Sequence, residues 1–503
     1  MLKSFLKSRS FIVIVLLLSI PLFCVNIRNF QRLKRTPYCN NCNVLLVTID
    51  TCGARDIQCY GYNRQTMPVF CQYATNNIFF ENAYANSAWT LPSHASIFTG
   101  LYESHHNIST PYESKLAENI PLLSDVLHTN GYETVFFFPP NEPALPIDDV
   151  YKRGMTRLVS DGYGEDNYID RALQILQQNT MAGKKTFLNF HSYTCHEPYF
   201  FRGAPLKFTK NIFPFIPTRT PDVFYPFTEG FYQYMLTRIP EALKDNEYGN
   251  LTDTLHRLYN KLKPSHGLEA DKRVYNDTLS GENLDPVVLW GFYDEYFYKD
   301  KIDIHNAAQM EYVRSLYDQK LYDVDDTVIR KIRDAMTKTS LKNNTIVIIT
   351  SEHGEEFGEH GVFGHTTLYD LNLKVPFMMS IPHMDPFSIS NNVQLVDIMP
   401  TILSVLGIKN HFTFDGTSLV PLLSGQQIPD RLLIAEGGYW QDTLPQKAIR
   451  DGNWKVLIAL KGTEIIPYEL YNIKVDPQEK NNVILSNYAT AKRIIEKYKR
   501  ALN

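Results

Sequence analysis

Strong net charge is the first thing this 503-residue chain lacks: 50 Lys and Arg face 54 Asp and Glu, a formal charge of −4. Without a basic excess there is no electrostatic case for a nucleic-acid partner, and none is expected. Tryptophan is scarce at 4 residues, whereas 31 Tyr and 29 Phe are present, many between residues 190 and 320. Internal repeats and low-complexity tracts are absent, which excludes a solenoid, and 44% hydrophobic with 21% charged residues excludes a disordered or fibrous chain. Cysteine is limited to seven positions, and no second C-x-x-C follows Cys39 and Cys42. A zinc ribbon is therefore disfavoured, and the CNNC pair can instead close a small disulfide before the first strand.

Long apolar runs are also missing, with one exception. FIVIVLLLSIPLFCV (Phe11 to Val25) follows Lys3, Lys7 and Arg9, and no small-x-small cleavage pattern follows it. Residues 11–27 are expected to form an uncleaved membrane signal anchor behind a basic N-terminus at 1–10, with a polar linker over 28–42. The rest of the chain is then extracytoplasmic, periplasmic or extracellular, where disulfides persist.

Beyond the linker the text alternates. NVLLVTID (Asn43 to Asp50), YETVFFF (Tyr132 to Phe138), KTFLNFHS (Lys185 to Ser192) and NTIVIITSEHG (Asn344 to Gly354) are near-continuous apolar runs, the mark of strands buried on both faces. Helical patterns separate them, such as Asn167 to Gln178 and Tyr322 to Met336. The fold class is therefore α/β, a mainly parallel sheet flanked by helices, in a domain spanning 43–409. Residues 200–305, rich in Pro, Tyr and Phe, break the rhythm as an insertion near the site. From 410 to 503 the text reads as a smaller antiparallel subdomain, with a DG turn inside KAIRDGNWKVLIAL.

In parallel sheets ligands gather at the carboxyl ends of strands. Asp50, His196 and the Glu352–His353 pair all stand at or just past such ends. Carboxylate oxygen and imidazole nitrogen are both ligands for divalent metals. Thr90, in SAWTLPSHASIFTG, precedes a short helical pattern. It reads either as a helix cap or as a nucleophile, whose anionic substrate would be held at a helix N-terminus.

The series Asp50, WTLPSHASIFTG, HEPY and SEHGEEFGEHGVFGH resembles the sulfatase family of the alkaline phosphatase superfamily, and LVDIMPTILSVLGI, DGTSL and ELYNIKVDPQEKNNV look like its C-terminal landmarks. The resemblance runs from about 43 to 485. It implies an alkaline-phosphatase-like fold and one divalent ion, Zn, Mn or Ca, bound by Asp50, Thr90, Glu352 and His353. It puts Thr90 in the nucleophile position, His196 at the His-x-Pro histidine, His365 where many members have a lysine, and His94 where the motif arginine stands. The last three would donate to the ester oxygens. Two departures matter. Threonine cannot become the family's formylglycine aldehyde, and Gly53 fills an arginine slot with Arg55 close by.

These implications lead to a membrane-anchored, metal-dependent hydrolase of phosphate or sulfate esters. A covalent Thr90 ester forms on the way, and phosphoesters are favoured. A phosphoethanolamine- or phosphoglycerol-type transferase and a catalytically silent binding protein are the alternatives. His105, His106, His191 and His360 are read as structural or supporting residues.

Overall fold

The computed structural model describes residues 37–109, 115–138, 148–159, 165–197, 199, 207–208, 237–241, 243–244, 256, 302–429, 431–437 and 445–502. The expected anchor at 11–27 and most of the expected insertion at 200–305 lie outside these residues. Among the described residues no helix is long and apolar enough to cross a membrane.

The first six strands are β1 (Asn43–Ile49), β2 (Ile78–Tyr84), β3 (Tyr132–Phe137), β4 (Arg157–Val159), β5 (Lys185–Ser192) and β6 (Thr345–Thr350); β1, β3, β5 and β6 are the four apolar runs of the sequence. A small hairpin of β7 (Glu356–Phe357) and β8 (Phe363–Gly364) comes before β9 (Lys374–Ser380) and β10 (Phe387–Gln394). Eight of these make one sheet in the order β10-β2-β9-β6-β1-β5-β3-β4. Only β9 runs against its neighbours, β2 and β6; the other pairings are parallel. Every residue of β1 is buried, because parallel partners flank it and apolar layers cover both faces.

Side-chain alternation divides β1 between two cores. Leu45, Val47 and Ile49 pack toward the helices Glu165–Met181 and Ala307–Val324; Val44 and Leu46 pack toward the helices Thr90–Thr99 and Ile398–Val405. The last helix of the first layer continues through a π turn, Asp325–Ile329. There the Asp325 carboxylate accepts from the Val69 and Phe70 amides and so caps the helix Pro68–Thr75.

A second sheet holds β11 (Leu433–Gly437), β12 (Gln446–Asp451), β13 (Trp454–Lys461) and β14 (Glu464–Asn472), all antiparallel. The DG turn falls between β12 and β13, with Gly452 at φ 60, which glycine tolerates. The helix Tyr488–Leu502 covers this sheet through Ala491, Ile494, Ile495 and Tyr498. Among the described residues two disulfides are present: Cys39–Cys42, as expected, and Cys59–Cys71, which was not. Cys52 and Cys195 are reduced and buried.

Candidate active site and metal centre

Adjacent strands β5, β1 and β6 end side by side, so their tips deliver the site. Asp50 follows β1 directly and its amide is held by the Ser192 carbonyl at the end of β5. The next residue, Thr51, has φ 54, a costly conformation for a β-branched residue. It is fixed at both ends: its hydroxyl donates to the Cys195 carbonyl at 2.8 Å, and its own carbonyl accepts from the Tyr317 hydroxyl at 2.7 Å. At the end of β6 the Ser351 hydroxyl donates to the His353 carbonyl and accepts from the Cys52 amide, joining the two tips. A Cβ on Gly354 would lie 2.3 Å from the Leu371 carbonyl oxygen, so only glycine fits beneath the pair.

Thr90 does not cap its helix. Trp89 occupies the N-cap place with extended backbone and no side-chain capping bond, and Thr90 is the first helical residue. Its hydroxyl instead lies 3.2 Å from His353 Nε2. The Ser93 hydroxyl one turn on donates to the Glu352 carbonyl at 2.6 Å, which fastens the helix to the β6 tip.

Asp50, Glu352 and His353 are fully buried, and their ligand atoms lie within 4.8 Å of one another. Among the described residues, none of the four carboxylate oxygens has a hydrogen-bond partner. Imidazole nitrogens stand nearby: His191 at 3.4 Å and His353 at 3.6 Å from Asp50, and His353 at 3.8 Å from Glu352. An ion taken out of water unpaired costs several kcal/mol, more than such long contacts return. Burial and the charge of Asp50 push Glu352 well above the carboxylate range. Burial also works on Asp50, but the neighbouring His191, His196 and His353 outweigh it and hold its carboxyl below the usual range. A divalent cation at the centre of these atoms relieves both carboxylates, so the donor set fits the ion that the resemblance implies.

The imidazole of His353 is already oriented for that use. Its Nδ1–H donates to the Gly354 carbonyl at 3.0 Å, leaving the Nε2 lone pair toward Thr90 and Asp50. Burial, then the nearby His365, brings its pKa down to about 3, so the ring is neutral. His365 stacks on it with ring centroids 4.5 Å apart, and His196 meets His365 edge-on at 5.0 Å. The His196 Nδ1–H donates to the Glu197 carbonyl at 2.5 Å. The structure thus brings Asp50, Thr90, Glu352, His353, His196 and His365 together.

His94 is different. Tyr151 donates to its Nδ1 at 2.9 Å or accepts from it, and its Nε2 lies 3.1 Å from the Thr48 hydroxyl. With both nitrogens engaged it has no donor left for an ester oxygen, so the geometry does not support the oxygen-binding part expected of it. Burial, then the adjacent His191, holds its pKa well below the histidine range. A second grouping of ligand atoms, His94, His191 and Glu352, suits an ion less well for the same reason. Arg55 does not stand in for the missing arginine either. Its guanidinium is committed to the Glu359 carboxylate at 2.8 Å and the Glu355 carbonyl at 2.9 Å.

His191, read from sequence as a structural strand residue, lies at the centre instead. Its Nε2 faces Asp50, and its Nδ1 is 3.0 Å from the Thr48 hydroxyl. Its position one residue before the end of an apolar strand was the available signal. Glu355 was also missed; it receives His365 Nδ1 at 3.0 Å and the Tyr199 hydroxyl at 3.0 Å.

The chain is similar to known proteins over most of its length. Residues 42–408 match the family described as Sulfatase, and residues 358–503 match the N-sulphoglucosamine sulphohydrolase C-terminal family. The chain is 24% identical over 483 residues to an N-acetylglucosamine-6-O-sulfatase of Bacteroides thetaiotaomicron, covering 88% of this chain and 82% of the relative. It is 29% identical to arylsulfatase K of Rattus norvegicus, covering 90% and 76%. Among solved structures, the phosphonate monoester hydrolase of Agrobacterium radiobacter superposes with a TM-score of 0.61 at 17% identity, covering 92% and 95%. A structure in complex with its substrate D-glucosamine-2-N,6-O-disulfate superposes with a TM-score of 0.62 at 19% identity, covering 92% and 97%.

Proposed function

Because the chain belongs to the sulfatase family and is an ester hydrolase of that kind, we propose that Thr90 is its nucleophile and that phosphate esters and phosphonates are its substrates. One observation carries this reading: the Thr90 hydroxyl stands 3.2 Å from His353 Nε2, beside four buried carboxylate oxygens without hydrogen-bond partners. Asp50, Glu352 and His353 would hold one divalent cation, with the Thr90 oxygen facing it. A nitrogen among oxygen ligands suits Zn or Mn better than Ca. Bound there, such an ion supplies the charge that favours the alkoxide form of a hydroxyl.

The protein's own groups do the rest. At the first position of its helix, Thr90 presents its oxygen where unpaired helical N–H groups favour an anion. That oxygen, its proton given up to solvent as the alkoxide forms, bonds to phosphorus as the bond to the leaving alcohol breaks. His196 and His365 line the same space and supply the proton to the departing oxygen. The product is a Thr90 ester, which water then releases.

Thr90→Ala should reduce turnover by about 10³-fold or more while metal content stays at the wild-type level. Undiminished turnover in that variant would remove the mechanism. Comparing kcat/KM for 4-nitrophenyl phosphate, a phenylphosphonate ester and 4-nitrophenyl sulfate tests the substrate class. Sulfate esters are the second reading, supported by the relatives named as sulfatases; faster sulfate cleavage would select it and leave the role of Thr90 to the variant. A membrane-anchored, extracytoplasmic location belongs to the same proposal, supported by the apolar run from Phe11 and the two disulfides. Deleting residues 1–36 should move the protein from the membrane to the soluble fraction.

A further inference from the structure

We infer that the domain stands with the strand-start end of its large sheet against the membrane and its active site turned away, so that its substrates are esters on soluble or outlying molecules and not headgroups of its own bilayer. The inference rests on the reading of residues 11–27 as an anchor and adds to it an orientation and a substrate class. Asn43 opens β1 and Asp50 follows its end, so the linker joins the domain at the strand starts while the site lies at the far tips. Seven residue steps of about 3.3 Å set those two ends about 23 Å apart.

The entry is pinned. The Cys39 amide donates to the Val405 carbonyl at 2.8 Å and the Asn43 amide to the Asn344 carbonyl at 2.7 Å. The Asn43 side chain donates to Thr180 Oγ1 at 2.8 Å and accepts from the Thr186 amide at 2.9 Å, and Pro37 and Cys42 are buried. β1 is the fifth of eight strands, so it starts under the middle of the sheet and not at an edge. Nine residues, 28–36, separate the expected anchor from Pro37. A flexible chain of that length averages about 17 Å end to end and cannot exceed about 35 Å. To lay the strand tips on the headgroups, it would have to turn back and run outside the domain for the whole height of the sheet, past the loops at both ends. That needs nearly full extension. With the strand starts toward the bilayer, no extension is needed.

Charge at the near end suits the same arrangement. Lys184 and Lys185 stand at the start of β5, and exposed Lys342 lies just before β6. Lys409, also exposed, comes two residues after Gly407, where an added Cβ would lie 2.9 Å from Asn40 Oδ1 in the entry loop. Among the acids at this end, Glu133 faces Lys184 at 3.8 Å, Asp334 is paired with Arg333 and Lys338, and Asp385 is exposed. The linker itself adds Arg28, Arg32, Lys34 and Arg35. Clusters of this kind are drawn to anionic headgroups. Tether and charge therefore hold the same end of the domain down, and Thr90 opens on the other.

The test uses the full chain in nanodiscs of phosphatidylcholine and phosphatidylglycerol. A phospholipid with a photoreactive headgroup should leave adducts on segments 181–185, 340–344 and 407–411 and none on 87–94 or 351–367, read by mass spectrometry. For turnover, an aryl phosphate headgroup is carried by a long-chain lipid in the same disc and by a dissolved dihexanoyl lipid, with aryl sulfate in its place if sulfate esters prove faster. The dissolved ester should be cleaved about 10²-fold faster, although embedding raises the local concentration of the other. Inserting about forty Gly and Ser residues after Thr36 lengthens the average reach to about 35 Å. Cleavage of the embedded ester should then rise about tenfold or more, with the dissolved one unchanged. Adducts at 87–94 or 351–367, no adducts at the strand-start segments, or equal cleavage of the two esters overturns the orientation and leaves the anchor and Thr90 in place. An embedded ester still uncleaved with the longer linker overturns it too, because reach is then not what protects the lipid. Full chain recovered free of the discs overturns the anchor reading instead, and failure to cleave the dissolved ester overturns the hydrolase reading.

Discussion

At the scale of the residue, the energetics of this site turn on two carboxylates. Asp50 and Glu352 are both inaccessible to water and lack hydrogen-bond partners among the described residues. In protein stripped of metal, Glu352→Gln should raise the melting temperature by about 2 °C or more, since it removes one of two adjacent buried acids. With Zn or Mn present the same substitution should lower it, because a ligand is lost. A scan with and without chelator reads both signs, and an equal shift in the two conditions would mean that the pair does not share an ion. Asp50, Thr90, Glu352 and His353, which the structure brings together, could be picked out in the sequence because each falls at a strand tip or helix start with the chemistry a metal site uses. Glu355 was not, since SEHGEEFGEH offers three further glutamates that one-dimensional text cannot rank. His94 misled because a motif slot says which residue occupies it, not which way its ring is held.

Among the elements, the loop between β6 and β9 links the site to the C-terminal sheet. His360 sits in it at φ 54, a non-glycine residue in the left-handed region. Its Nδ1 meets the Glu356 carboxylate at 3.1 Å and its Nε2 the Glu479 carbonyl at 3.1 Å, with the ring stacked on Tyr369. Both partners only accept, so both nitrogens carry protons and the ring is an imidazolium. Burial alone would lower its pKa, but the Glu356 hydrogen bond and charge and the Glu479 carbonyl raise it above the ordinary 6.5. The contact therefore adds stability that is fully present below about pH 6.5 and fades as pH rises through the raised value. Wild type should exceed His360→Gln in melting temperature below pH 6.5, by a margin that shrinks toward alkaline pH; a margin constant across pH would refute the charged ring. Elements were legible in proportion to their hydrophobicity. β1, β3, β5 and β6 were read from sequence nearly to the residue. β2, β9 and β10 were not, because IFFENAY, KVPFMMS and FSISNNVQ carry Glu81, Asn82, Pro376 and a run of polar residues that hide an edge of the sheet.

For the whole molecule, the question is what ties the two sheets into one body. Lys455 of β13, almost fully buried, reaches the Asp370 and Glu479 carboxylates, each at 2.7 Å, and Arg450 of β12 reaches the other Asp370 oxygen at 2.9 Å. Lys455→Met would leave buried Glu479 without its cation beside an Asp370 held by Arg450 alone, and should cost about 3–5 kcal/mol. Urea unfolding measures this, and a loss under about 1 kcal/mol would count against the network as the fastening. The Cys59–Cys71 link, 12 residues apart in sequence, ties the segment after β1 to the helix Pro68–Thr75. Replacing both cysteines by alanine should lower stability by about 3 kcal/mol through the freer unfolded chain.

The row that runs from Tyr151 through His94, Thr48 and His191 to the edge of Asp50 has a single direction. Each middle member passes on one hydrogen for the one it takes, so turning any link around turns the whole row. Asp50 can only accept, so the direction is set at the tip of β1, and Tyr151, on the short helix Asp148–Lys152, supplies the hydrogen at the far end. A phenylalanine there would remove the hydroxyl that starts the sequence, and the first sign would be a changed grip on the cation rather than a hole in the core.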